Sequence, residues 1–362
     1  MTIEERDLPL LIALQEDPLA TASKLAKAVN LSTPTVISRL EALKKDNSYY
    51  SVSADVNLDA LDMELVDVLL QIDKIEDVEY FENTICYNHP FTLFRIRCFG
   101  NFNGLYVQFR IPKNTRKYIN ELLEYLQKRK RIQDYTFINA SATALTIFNK
   151  ANLSNWEHKL MRWNFNWEKW IKKLDSVDSK LILRPRGKSI LHKLDDLDIA
   201  LLQELTKNAR RKNTEIMETQ KLDKSIIGLP QKISRKLKSL DEHFITQYRV
   251  FLKWETFEIF NSFLAVCECN AKTSYKFQNL LLNHPIPFES MFKITDNGFL
   301  FYIRCPATHF SFIAEILWRL NKKVQFYYLD YKNTFFYVLW KGAFDVDKHY
   351  WSIEMMEKEK VL

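Results

Sequence analysis

The apolar positions near the start of the chain recur at helical spacing. Leu8, Leu11, Ile12 and Leu14 form a stripe that predicts a helix over 7–15, and Asp17-Pro18 ends it. Thr21 is placed to cap a second helix over 22–29, where Leu25 and Val29 share a face. Asn30-Leu31 makes a turn. Ser32 then caps a third helix with Pro34 in its first turn, where a missing N–H costs little, and Val36, Leu40 and Leu43 as its buried stripe. Residues 51–57 switch to strict alternation (Val52, Ala54, Val56) and predict a strand. Three short helices with a tight turn between the second and third, followed by a β-wing, form the winged helix-turn-helix pattern.

The pattern then reads βαββαβ. Strands are predicted over 65–72, 92–99, 105–111 and 134–139, and helices over 78–87 and 115–129. That order defines a ferredoxin-like α/β sandwich. A helical connector rich in tryptophan (Trp156, Trp163, Trp167, Trp170) is expected over 153–174. The sequence of elements then repeats. Helices are predicted over 197–205, from 213, and over 230–240, with a wing over 244–254. Strands follow over 262–269, 288–294, 299–305 and 324–328, with helices over 272–282 and 308–320.

The repetition is written in the residues themselves. Asn88-His89-Pro90 returns as Asn283-His284-Pro285, an offset of 195. Asn103-Gly104 with Arg110 and Pro112 returns as Asn297-Gly298 with Arg304 and Pro306, an offset of 194. Val36-Ile37-Ser38-Arg39-Leu40 answers Ile233-Ser234-Arg235-Lys236-Leu237 at an offset of 197. Landmarks in one order at near-constant spacing indicate a duplicated unit. The expected fold class is α+β: two winged helix-turn-helix domains (1–60 and 193–256) alternating with two ferredoxin-like domains (63–150 and 260–342). A connector with a basic arm fills 151–192, and 343–362 is a C-terminal tail.

Length and composition agree with several soluble domains: 362 residues, 47% hydrophobic and 27% charged. The location of charge says more than the net of +7. Residues 180–240 hold 15 Lys and Arg against 7 Asp and Glu, whereas the first 58 residues hold 6 against 8. One part of the chain is thus suited to a polyanion and the rest is not. The five cysteines, an odd number, include Cys267-x-Cys269 on one face of a strand but no second pair at metal-ligand spacing, which favours reduced thiols and no metal site. The polar N-terminus does not read as a signal peptide, and no apolar run approaches the ~20 residues of a membrane span, so a cytoplasmic protein without membrane contact is expected.

These residues resemble the Lrp/AsnC, or feast/famine, family of transcription regulators. Asn30 to Leu40 follows its helix-turn-helix signature, Pro230 to Leu237 matches the recognition-helix part, and Val56-Asn57-Leu58-Asp59-Ala60-Leu61 resembles the join between wing and effector domain. The resemblance covers most of both halves and implies a tandem fused member. A single chain would then contain the equivalent of a family dimer, with further self-association open through exposed sheet edges. The partner implied is double-stranded DNA, with no cofactor and no enzymatic activity.

In the first head, helical periodicity turns Thr35 and Ser38 outward with Arg39 at the margin, and Thr33 lies in the first turn. In the second head the outward set is Gln231, Lys232, Arg235 and Lys236, with Lys238 near the end. Arg210, Arg211 and Lys212 precede the second helix, where family members touch phosphates. Arg184 and Arg186 belong to a basic arm. Hydroxyls and cations of this kind contact phosphates and base edges, although solvated helix faces are the plain alternative. The resemblance also implies an amino-acid effector near a Gly-x-x-Asp loop. Here Gly100-Asn101-Phe102-Asn103 stands there, making Gly100, Asn101 and Asn103 ligand candidates, against the alternative of an ordinary Asn-Gly hairpin. His89 and His284 read as helix stops or as a paired site. Two other functions stay open: a winged-helix module that binds protein, and an enzyme like the siroheme decarboxylases, relatives of this family that use histidines in such a domain.

Overall fold

The structure is a computed structural model that describes residues 3–45, 49–223 and 226–362. Head 1 consists of α1 (Leu8–Glu16), α2 (Ala22–Ala28) and α3 (Thr33–Lys45). Thr21 accepts a hydrogen bond from the Lys24 amide, Ser32 Oγ accepts one from the Thr35 amide, and Asn30 takes the left-handed conformation in the turn. Val36, Leu40 and Leu43 are buried. Strand β1 (Tyr50–Val56) leads to body 1: β2 (Met63–Gln71), a helix α4 (Ile75–Tyr80) that widens into a π-type turn over Phe81–Ile85 and closes as α5 (Cys86–Asn88), β3 (Thr92–Gly100), β4 (Gly104–Pro112), α6 (Arg116–Lys128) and β5 (Asp134–Ile138). The connector holds β6 (Ile147–Asn149), a short hairpin of β7 (Trp156–Glu157) and β8 (Arg162–Trp163), and α7 (Trp167–Lys172).

Head 2 repeats the first with α8 (Asp196–Asn208), α9 (Asn213–Thr219) and α10 (Leu229–His243). Strand β9 (Ile245–Leu252) leads to body 2: β10 (Ser262–Glu268), α11 (Ala271–Asn283), β11 (Ser290–Thr295), β12 (Gly298–Arg304), α12 (Ala307–Leu320) and β13 (Lys323–Leu329). After it come β14 (Phe335–Phe336), the β15 (Phe344–Asp345) and β16 (Tyr350–Trp351) hairpin, and α13 (Lys358–Val361). Part of the long turn before α10, residues 224 and 225, lies outside the described residues.

Each body has the same strand order, β5-β2-β4-β3 and β13-β10-β12-β11. The fold is therefore the α+β arrangement of two heads and two ferredoxin-like bodies. The two sheets join edge to edge where β3 pairs antiparallel with β13, Gly100 opposite Tyr327. At the far edge an Ala140–Thr295 bridge brings the end of body 1 back onto β11. The sheets also face each other, and Leu69, Phe94, Ile96, Tyr106, Leu264, Leu300, Tyr327 and Leu329 fill the space between them. Both junction edges are taken by the other half, whereas β5 ends the sheet and, among the described residues, pairs with β2 alone.

The wings also depart from expectation. They do not fold back as separate β-wings but pair with each other, β1 antiparallel to β9 over Tyr50–Val56 and Ile245–Leu252. This shared ribbon crosses the chain over. Head 1 consequently shares its core with the connector and body 2, and head 2 with body 1.

The connector is not the continuous helix expected. Asn152 and Asn166 side chains accept from Ser154 and Lys169 amides, Asn155 donates to the Asn164 carbonyl, and Met161 is left-handed, so the asparagines fold the segment into turns. Its tryptophans are buried with their N–H groups satisfied: Trp163 by the Phe257 carbonyl at 2.8 Å, Trp167 by His309 Nδ1 at 2.9 Å, and Trp170 by the His284 carbonyl at 2.7 Å. The C-terminal segment is likewise no loose tail. Trp351 is buried against Phe91 and Phe344 and donates to the Leu61 carbonyl at 2.8 Å.

The duplicated Asn-Gly pair has one physical reason in both halves, and it is not a type I′ turn. Gly104 and Gly298 open a strand with φ of +156° and +152°, and a Cβ there would sit 1.9 Å from the Leu70 carbonyl oxygen or 2.0 Å from that of Cys267. Close approach to the neighbouring strand selects glycine.

Candidate nucleic-acid interface

The two recognition helices, α3 and α10, bury corresponding stripes and expose corresponding faces. In α10, Leu229, Ile233 and Leu240 are buried while Gln231, Lys232, Arg235 and Lys238 are exposed. In α3, Ser38 is exposed, Thr33 and Thr35 are half-buried, and the Thr35 hydroxyl lies 2.7 Å from that of Ser32.

One position on each helix turns inward instead. Arg39 binds Asp7 at 2.7 Å, and Lys236, its counterpart at the offset of 197, binds Asp198 at 2.8 Å and Asp195 at 2.9 Å. Burial opposes the Lys236 charge, but hydrogen bonds with Asp198 and Asp195 more than compensate and raise its pKa. Both cations therefore tie the third helix of a head to its first and are not free for a ligand.

Other basic residues are similarly committed. Arg210 donates to the Pro18 and Ala20 carbonyls at 2.8 and 3.0 Å, fastening head 2 to the α1–α2 turn of head 1. Arg211 is held by Glu204 and Thr219. Arg184, in the supposed basic arm, bonds both oxygens of Asp59 at 3.0 and 3.2 Å and the Ala142 carbonyl at 2.6 Å. The Gly187 amide also reaches Asp59, at 3.0 Å. This arm is laid down on the protein because Asp59 fixes it at both ends. Lys212 and Arg186 remain exposed.

The exposed cations of α10 border a cleft of about 290 Å³ lined by Lys193, Asp198, Lys232, Arg235, Lys236 and Ser239 among others. Lys193 escaped sequence reasoning. Its only signal is its place just before the Asp195–Asp198 capping box that opens α8.

The effector-loop residues occupy a different setting from a ligand pocket. Gly100 lies at the β3–β13 junction, where a Cβ would come within 2.4 Å of the Phe326 carbonyl oxygen. Asn101 and Asn103 are exposed beside it, and Phe102 packs on Tyr327 at 5.0 Å.

The two landmark histidines are not equivalent. His89 is buried edge-on to Phe109 at 5.0 Å, and burial drives its pKa down to about 3. His284 is only half-buried, with Lys173 Nζ 3.5 Å from its Nδ1. Among the described residues, no group of three or more His, Cys, Asp or Glu gathers as a metal site would. None of the helices described is long and apolar enough to cross a membrane.

Residues 5–44 match the AsnC-type helix-turn-helix domain, and the chain carries that domain as head 1. The Lrp/AsnC resemblance legible in the sequence is matched over this domain. A transcriptional regulator of Neisseria meningitidis, solved in complex with L-Met, is 20% identical over 39% of this chain and 92% of its own, with a TM-score of 0.32. AsnC of E. coli is 16% identical over 41% of this chain and 99% of its own, with a TM-score of 0.30. The siroheme decarboxylase NirDL covers both halves: 90% of this chain and 91% of its own, at 14% identity and a TM-score of 0.47. No curated protein matches the chain. The NirDL likeness corrects one expectation from the sequence. Two structures matched along 90% of this chain are of an enzyme, and the expectation of no enzymatic activity is withdrawn.

Proposed function

We propose that the protein is a sequence-specific, double-stranded DNA-binding transcription regulator that carries both subunits of a pseudo-dimer in one chain. Its units are heads at 1–60 and 193–256 and bodies at 63–150 and 260–342. One observation carries the reading: α10 presents Gln231, Lys232 and Arg235 to solvent on a head that the ribbon and Arg210 fix against its twin. Lys232, Arg235 and Lys193 supply phosphate contacts. Gln231, with Thr35 and Ser38 of head 1, reaches base edges, where such side chains discriminate sequence. Because the heads are latched, their two DNA segments are met at a fixed separation.

Selection of bound sequences from a random DNA pool tests this. The expected result is an enriched site bound roughly 10³-fold or more tighter than random DNA at physiological salt, as specific binders are. Recovery of no enriched sequence would rule out the specific regulator.

A further inference from the structure

The cleft beside α10 is built differently from a plain helix face. Leu194, Leu240 and Phe244, all buried, give it an apolar floor. Lys193, in the turn before α8, and Lys232 and Arg235 of α10 bring three cations to its lining, and Ser239 adds a hydroxyl. Lys236 and Asp198 line it as well, already joined at 2.8 Å, with Asp195 on the same ammonium at 2.9 Å. Lys193, Lys232 and Arg235 are exposed and, among the described residues, take part in no ion pair. Four cations therefore meet two carboxylates, an excess of two positive charges around about 290 Å³.

Head 1 repeats the frame without that excess. Its capping box, Glu4 to Asp7, lies at an offset of 191 from the box of Asp195 to Asp198, and Arg39 binds Asp7 as Lys236 binds Asp198. The positions of Lys232, Arg235 and Ser239 are taken there by Thr35, Ser38 and Ala42. One inward cation thus suffices to hold the third helix of a head. Like charges gathered around one cleft repel each other, so folding does not account for Lys232 and Arg235.

We infer that this cleft is a binding site for a small phosphomonoester. Its phosphate is received by Lys193, Lys232 and Arg235, and its body lies on Leu194, Leu240 and Phe244. A phosphomonoester carries nearly two negative charges at neutral pH and matches the excess of two. A single phosphodiester of DNA, with one charge, does not. Arginine also grips phosphate oxygens through paired N–H donors, and the volume suits a ligand at the small end of the usual range. The consequence rests on the function proposed above. Lys232 and Arg235 serve both ligands, so an occupied cleft excludes DNA from α10, and a phosphorylated small molecule switches head 2.

The test uses phenyl phosphate as probe and phenyl sulfate, its monoanionic analogue, as the comparison. Each is titrated calorimetrically into the full chain without DNA, at constant ionic strength and about pH 8, where the phosphate is a dianion. The phosphate ester should bind saturably and about tenfold tighter than the sulfate ester. Lys193→Met should weaken that binding about tenfold. Lys128→Met, which removes an exposed cation at the end of α6, should leave it unchanged. In a second arm, phenyl phosphate should displace a selected duplex from the native chain. No saturable binding, equal binding of the two esters, or equal binding by the native chain and Lys193→Met overturns the site. A duplex that stays bound at saturating phenyl phosphate overturns the switch. A chain that retains no duplex refutes the DNA reading alone, because the titration is made without DNA.

Discussion

The two heads are one device with opposite surfaces. At the offset of 197, Thr35, Ser38 and Glu41 of α3 correspond to Lys232, Arg235 and Lys238 of α10, while Arg39 and Lys236 correspond at the inward position. Both inward cations close an ion pair with an acid at the start of the head's first helix. The outward positions have diverged from a net of −1 to +3. The architecture of a head thus constrains its inward cation and leaves the exposed face free to change. On the proposed DNA-binding reading, counterion release assigns most phosphate affinity to head 2 and leaves head 1 a role in orientation and base contact.

The same divergence runs between the bodies, and there it can be broken most severely. Lys293 and Asp67, 3% and 1% exposed, form an ion pair of 2.6 Å between the facing sheets, and Asp67 also accepts from Tyr106 at 2.6 Å. Their counterparts in the strand register are Ile96 and Leu264, so the related place is apolar. Lys293→Met leaves Asp67 charged and buried and should cost about 3–5 kcal/mol in denaturant unfolding, while adding Asp67→Leu should recover much of it. Equal stability of the single variant and the native chain would deny that the halves are locked by this pair.

The Asn-His-Pro landmarks give the next largest contrast. His89 holds a depressed pKa of about 3 against an ordinary value near 6.5. Between those values the unfolded chain binds the proton and the native chain does not. Stability therefore falls as pH drops from about 6.5 towards 3, by up to about 1.4 kcal/mol per unit from this group. His89→Leu should flatten that part of the pH profile, which unfolding of the variant and the native chain at pH 7 and pH 5 would reveal.

Smaller effects distinguish the heads. Asp7→Ala leaves Arg39 half-buried without its acid and should cost about 1–3 kcal/mol. Asp195→Ala should cost less, because Lys236 keeps Asp198; denaturant midpoints of the two variants check the order. Thr35→Lys with Ser38→Arg, which gives head 1 the face of head 2, should strengthen DNA binding and steepen its salt dependence by about 1.8 in log–log slope.

Much of this was legible in the order of residues. Periodicity of apolar positions located the helices and strands of both heads and both bodies, and the Asn-His-Pro, Asn-Gly and α3/α10 repeats disclosed the duplication. Periodicity reports which face is buried but not which partner buries it. For that reason the exchange of heads between bodies, set by the β1–β9 ribbon, could not be read. Ion-pair partners are hidden for the same reason: Lys293 and Asp67 are 226 residues apart, and Arg184 meets Asp59 at a distance of 125. Arg39, Arg184, Arg210 and Arg211 look like ligand residues in sequence because nothing local shows their acceptors. The tryptophan connector misled through composition, since asparagine-directed turns outweighed the apolar content.

The most direct test of the account is the salt dependence of DNA affinity for the native chain and for Lys232→Ala with Arg235→Ala, measured on the same selected duplex. Loss of two phosphate contacts predicts weaker binding and a slope of log K against log salt shallower by about 1.8. An unchanged slope and affinity would contradict the assignment of DNA binding to head 2.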